Sequence, residues 1–265
     1  MFTHWTIFVC IVVPSLAIPD SARKDLRILS YSGPLDEEIV KSKFSEVNSL
    51  EIRLSNITSF SKDVLRKFKK MESLAIHFSN IQNEDGVFEN CCPKLTSLEI
   101  RNWTDFMPQD LKGIGTVPLK TLEILDQDIP VLTYDMFENT ELKELKLIRD
   151  NIQTIHPLAF KNLIKLQYLL LSGNKLKKFP KEALSSLRNL TTLELVSNGL
   201  ESLDSDDLPE LPSLKKIIIT NEKLKELNFT GVEKKAPSLV DIYLIGNVGV
   251  DVYGTSDRHI IHNLV

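Results

Sequence analysis

LQYLLLSGNKLKKFPKEALSSLRN, residues Leu166–Asn189, is the stretch whose reading decides the fold. Leucine stands at positions 1, 4, 6 and 11, as Leu166, Leu169, Leu171 and Leu176, and again at Leu184 and Leu187. Read as a short strand, Tyr168–Ser172 turns alternate side chains to opposite faces. Leu169 and Leu171 then point into a core, while Tyr168 and Leu170 point outward. The second apolar group, at Leu184 and Leu187, closes a far wall.

The same pattern recurs along the chain. Aligned on LxxLxLxxNxL, units begin at Val47, Met71, Leu95, Leu119, Leu142, Leu166, Leu190, Leu214 and Leu239, in steps of 24, 24, 24, 23, 24, 24, 24 and 25 residues. A degenerate unit starts near Arg23, with Leu26 and Ile28 in two of the core slots. No unit can bury so much apolar surface alone, so the units must stack into one continuous core. Phe160, Leu163, Leu208 and Leu211 repeat the far-wall pair of Leu184 and Leu187.

This register resembles the extracellular leucine-rich repeat family with 24-residue units, over roughly residues 23 to 250. The resemblance implies an α/β repeat solenoid, a leucine-rich repeat horseshoe with a parallel β-sheet on its concave face. At position 9 the family places an asparagine that satisfies buried backbone groups. Asn174, Asn198 and Asn247 fill it here, whereas Ser55, Ser79, Trp103, Gln127, Asp150 and Glu222 occupy the other copies. The amino-terminal half is thus less regular, with a local distortion expected at Trp103. Extracellular relatives flank their repeats with cysteine-rich caps, which this chain lacks. The expected division is 1–17 leader, 18–46 capping segment, 47–250 nine repeats and 251–265 tail, with Ile260, Ile261 and Leu264 folding over the last repeat.

The chain has 265 residues, 42% of them hydrophobic, and a formal charge of −4, long enough for a large core. Acid and base nearly balance, which argues against a nucleic-acid partner or an anionic membrane surface. The apolar run Thr6–Ala17, with Ser15 and Ala17 before Ile18, reads as a cleaved signal peptide although it lacks an amino-terminal Lys or Arg. It is too short for a membrane anchor and contains Pro14, so no membrane span is expected in the mature chain. Cleavage removes Cys10 and leaves Cys91 and Cys92. Three states are open to these neighbours: a vicinal disulfide, a bridge between two chains, or reduced thiols with Cys92 as a small core residue.

Positions 3, 5 and 7 face the concave surface. Towards the amino terminus they are charged, with Glu51, Arg53, Glu99, Arg101 and Glu123. Further on they become apolar: Leu125, Ile148, Tyr168, Leu170, Val196, Ile218, Tyr243 and Ile245, interrupted by Lys146, Glu194 and Lys216. Three readings compete for this patch: a surface for a protein ligand or receptor, plain strand propensity, and a homodimer seam. Four sequons, at Asn56, Asn102, Asn189 and Asn228, lie off these positions and would leave the patch open if glycosylated.

Catalysis is not expected. No nucleophile–base pairing or phosphate loop can be read, and the sequence implies no cofactor. His77 suits a contact residue beside Arg53 and Arg101. His259 and His262, at helical spacing with Asp257 nearby, offer at most two or three ligands for zinc, too few for a site. The expectation is a secreted protein-binding module, the alternative an obligate homodimer with a structural or adhesive role.

Overall fold

The computed structural model describes residues 24–36, 44–137, 141–247, 249–256 and 259–264. The expected leader, 1–17, lies outside them, as does Asp257. Two compact units divide the chain between Pro118 and Leu119.

The first unit contains β1 (Lys24–Leu29), β2 (Ser32–Pro34), β3 (Val47–Arg53), β4 (Asn56–Phe60), β5 (Ser73–Asn83) and β6 (Ser97–Thr104). β1, β3, β5 and β6 are parallel and aligned so that Leu26, Leu50, Leu74 and Leu98 form one row and Ile28, Ile52, Ile76 and Ile100 another. All eight are buried, so the degenerate first unit is a genuine turn of the winding. Trp103 is buried in the position-9 slot against Phe106, ring centroids 5.5 Å apart. The turn departs from the later repeats here, with left-handed Asn102 and Asp105 on either side of Trp103. The strands run on through the slot, pairing Ser79 with Trp103 and Asn80 with Thr104, so direct strand pairing takes over where no amide is available.

The second unit contains β7 (Thr121–Leu125), β8 (Val131–Leu132), β9 (Glu144–Ile148), β10 (Thr154–Ile155), β11 (Tyr168–Ser172), β12 (Thr192–Val196), β13 (Leu203–Asp204), β14 (Lys216–Thr220), β15 (Glu226–Asn228), β16 (Asp241–Ile245), β17 (Asp251–Tyr253) and β18 (Ile260–Leu264). β7, β9, β11, β12, β14, β16 and β18 pair in that order, all parallel. β8 pairs with β10, and β13, β15 and β17 form a third sheet on the flank. In β11, β12, β14 and β16 buried side chains alternate with half-buried ones, as a strand with one core face requires. Phe160, Leu163, Leu184, Leu187, Leu208 and Leu211 make the opposite wall and are fully buried. Each unit is therefore a parallel β-solenoid, one sheet strand per turn.

Each turn bends at a left-handed residue at position 8, from Leu54 and Phe78 through Asp126, Arg149 and Ser197 to Gly246. Non-glycine residues hold this conformation at a cost of about 1 kcal/mol or more each. The surrounding turns over-determine it, because position 9 must swing inward. At Gly246 a Cβ would collide with Asn221 Oδ1, so that corner also needs the missing side chain.

Position 9 then holds the turns together. Asn174 Oδ1 accepts from Asp150 N–H (3.0 Å) and Ile152 N–H (3.2 Å), while its Nδ2 donates to Leu147 O and Ser172 O. Asn247 does the same for Glu222 N–H and for Ile219 O and Ile245 O. The Glu222 carboxylate accepts from Asn198, Gly199 and Leu200 N–H, and from Asn198 Nδ2. Serine works on a smaller scale: Ser79 Oγ accepts from Ser55 N–H, and Ser55 Oγ from Tyr31 N–H.

The tail differs from expectation. It does not fold over the last repeat but extends the sheet, with Ile261 beside Ile242 and His262 beside Tyr243. Strand alternation turns Ile260 outward, where it is 51% exposed. A further winding turn satisfies the backbone of β16, which a lid of side chains could not do.

Candidate functional site

On the outer face of the second unit's sheet, Ile148, Tyr168, Leu170, Val196, Ile218, Tyr243 and Ile245 are half-buried, each on a strand hydrogen-bonded to the next. Leu125 is the correction. It is only 7% exposed, with Ile148 beside it in register and the adjacent corner closed by the Arg149–Asp126 pair. It therefore supports the face and offers little of its own surface.

Polar contacts fix this face. Lys146 Nζ lies 3.1 Å from Glu123 Oε2. Tyr168 is hydrogen-bonded to Glu194, and burial together with that carboxylate raises its phenol pKa above the ordinary value. Lys216 Nζ sits 5.1 Å from the centre of the Tyr243 ring. The other face of Tyr243 stacks on His262, centroids 4.0 Å apart and planes within 9°. His262 Nε2 in turn lies 3.2 Å from Asp241 Oδ1. The result is a row of aliphatic side chains ending in a clamped aromatic stack. Side chains already held in place lose little rotamer freedom on contact, which favours binding.

The first unit's sheet carries a different surface. His77 lies between two carboxylates, Nδ1 3.7 Å from Glu51 Oε1 and Nε2 3.0 Å from Glu99 Oε1. Glu51 also pairs with Arg27 at 3.1 Å. Arg101 is half-buried, its guanidinium 5.7 Å from the Phe78 ring. Its neighbours make this a charge-paired face without the apolar row.

The remaining expected sites separate. Cys91 and Cys92 are free thiols, 3% and 0% exposed, and Cys92 donates to Leu65 O. Its contact with the Cys91 thiol, reinforced by burial, raises the Cys92 pKa above the thiol range. The burial of both thiols disfavours a bridge between chains and suits the reading of Cys92 as a small core residue. The two histidines, His259 and His262, do not come together. The segment is extended rather than helical, so the two rings face apart: His259 is buried with Nδ1 near Ser256, while His262 stacks on Tyr243. Of the sequon asparagines, Asn56, Asn102 and Asn189 are exposed and Asn228 is half-buried. The Nδ2 of Asn189 donates to Ile164 O, and Asn228 Oδ1 accepts from Thr230 N–H.

Two features escaped the sequence reading. His262 lay outside the repeat register, and only its offset from Tyr243 across the last turn could have revealed the stack. Asp150 was visible as an acid in an asparagine slot. It is fully buried, Oδ1 accepting from Gln127 N–H at 3.0 Å, and burial pushes its pKa up to about 8.

Known proteins fit this architecture. A family profile described as "Leucine rich repeat" matches residues 118–176, 140–200 and 164–224. Another, "BspA type Leucine rich repeat region (6 copies)", matches residues 36–110. Leucine-rich repeat-containing G-protein coupled receptor 5 of Rattus norvegicus is 31% identical over 161 residues, 59% of this chain and 17% of that protein. P-granule-associated novel protein 1 of Caenorhabditis elegans is 33% identical over 87 residues, 32% of this chain and 15% of that one. The chain thus spans less than a fifth of the length of either relative. Among solved structures, the TLR13–ssRNA13 complex superposes with a TM-score of 0.66 at 19% identity, over 91% of this chain and 43% of that one. Human 5T4 (Wnt-activated inhibitory factor 1, trophoblast glycoprotein) gives 0.54 at 18% identity, over 68% and 71%. At such identities the likeness establishes the fold. With the repeat register, the position-9 ladder and both profiles in agreement, the chain belongs to the leucine-rich repeat family.

Proposed function

We propose that this protein is a secreted recognition module, binding a protein ligand or receptor on the outer sheet face of residues 119–265. The observation that carries this reading is the run of half-buried apolar side chains on consecutive strands, ending in the Tyr243–His262 stack. Complete burial of one such side chain contributes about 1.5–3 kcal/mol, and a half-buried one roughly half of that, so a few central anchors suffice. Lys146, Glu194 and Lys216 set orientation and exclude mismatched partners. The apolar run Thr6–Ala17 and the four sequons support export and glycosylation. Among the described residues no helix is long and apolar enough to cross a membrane.

The test is affinity capture from extracellular fluid by the intact chain and by its Tyr168→Ser/Leu170→Ser/Tyr243→Ser variant, compared by mass spectrometry. Selective loss of a protein from the variant, with thermal melting preserved, is expected. Identical capture by both proteins sinks the proposal. A homodimer through the same face predicts instead a concentration-dependent sedimentation coefficient that the triple variant abolishes.

A further inference from the structure

The flank of the second unit carries a break in its backbone pairing that the recognition face does not use. β8 and β10 are joined by bonds from Gln153 and Thr154 N–H to Pro130 O and from His156 N–H to Leu132 O. In the next turn Lys175 N–H still bonds to Ile152 O at 2.7 Å. Beyond it, among the described residues, no backbone bond joins Lys177, Lys178 or Phe179 to Gln153–Ile155. Pro180 stands 24 residues after His156, in the place of the donor, and has no N–H to give. The chain turns aside there into the short helical segment Lys181–Leu184.

The break leaves a groove of about 680 Å³ between the edge of β10 and residues 175–180. Buried Leu176 and Phe179, with half-buried Ile155, give it an apolar floor. Exposed Lys175, Lys177 and Lys178 line its rim, and among the described residues none of the three has an ion-pair partner. Lys181, by contrast, is occupied with Asp206 O. Glu182 is the single acid in the lining.

We propose that this groove accepts an extended acidic peptide as an added strand along β10. Ile155, without a backbone bond to the following turn, offers its N–H and C=O. A strand's side chains alternate, so every second one reaches the lysine rim while the others meet the apolar floor. The occupant is therefore a segment in which carboxylates alternate with small apolar residues. Lysines on an edge keep a neutral strand away, and the same charges select an acidic one. A sulfated polysaccharide would satisfy the lysines but would use neither the floor nor the backbone edge.

The experiment is fluorescence anisotropy of the intact chain with a labelled hexapeptide of alternating glutamate and valine. Saturable binding is expected, weakened about tenfold or more by Lys177→Glu/Lys178→Glu. N-methylation of alternate peptide amides, which keeps every charge, is expected to weaken it by a similar factor. The Tyr168→Ser/Leu170→Ser/Tyr243→Ser variant is expected to bind normally, which separates this site from the recognition face. The absence of saturable binding overturns the proposal. So does undiminished affinity for the methylated peptide, which would reduce the groove to a general anion site. Lysine-dependent capture of heparin fragments in place of the peptide overturns it in favour of a polysaccharide.

Discussion

Replacing Asp150 by asparagine tests how the turns are held. Its carboxyl is buried in a slot where Asn174, one turn later, both accepts and donates. Burial raises its pKa from 3.8 to about 8, while the bond from Gln127 N–H opposes the shift. Between these two values the folded protein keeps a proton that the unfolded chain releases. Stability then falls as pH rises, with full stability below the unfolded pKa and the maximal penalty above the folded one. From pH 5 to pH 8 this amounts to about three pH units at 1.36 kcal/mol each, or roughly 4 kcal/mol. The amide introduced by Asp150→Asn would carry no charge and could donate as Asn174 does. Urea unfolding of both proteins across pH 5 to 8.5 is the assay, with m-values checked for constancy. Asp150→Asn is expected to be near neutral at pH 5 and more stable by several kcal/mol at pH 8.5. Parallel stability curves would refute the reasoning, because they would mean that Asp150 titrates alike in both states.

Three other perturbations read out the same architecture. Glu222→Ala leaves the N–H groups of Asn198, Gly199 and Leu200 without their acceptor and should cost roughly 3–6 kcal/mol in urea unfolding, with Glu222→Gln losing much less. Leu169→Ala, at a fully buried site in the central row, should cost about 2–5 kcal/mol, whereas Leu170→Ala on the outer face should cost under about 1 kcal/mol. Cys91 and Cys92 should resist a water-soluble thiol reagent in the native protein and react together on unfolding. Immediate labelling of either would contradict their burial.

The winding was legible because a 24-residue recurrence of leucines leaves few alternatives: Leu166, Leu169 and Leu171 can share one face only if the chain coils. The same rule placed Leu26 and Ile28 correctly despite a poor local match. It erred where burial depends on more than the strand's own alternation. Leu125 has an outward position by register, yet its neighbours cover it. The tail carries no recognisable repeat, so its pairing with β16 rests on backbone bonds available to any sequence. The lysine-rimmed groove was equally hidden, since Pro180 removes a donor that matters only once the preceding turn is in place. Asp150 and Glu222 looked like imperfect asparagines. Their chemistry follows from depth, which the repeat pattern locates but does not measure.

The position-9 side chains reach back to the turn before them. Asn174 serves the amides of Asp150 and Ile152, Glu222 those of Asn198 to Leu200, and Asn247 that of Glu222, so each of these three turns is completed in part by its successor. Peeling the coil from its carboxyl-terminal end strips acceptors from the amides of the layer beneath, while peeling from the other end removes the carbonyls to which Asn174 and Asn247 Nδ2 donate. The winding behaves as a row of clasps, each half-made by its neighbour, so that stripping the outermost turn at either end leaves the next one with polar groups to satisfy.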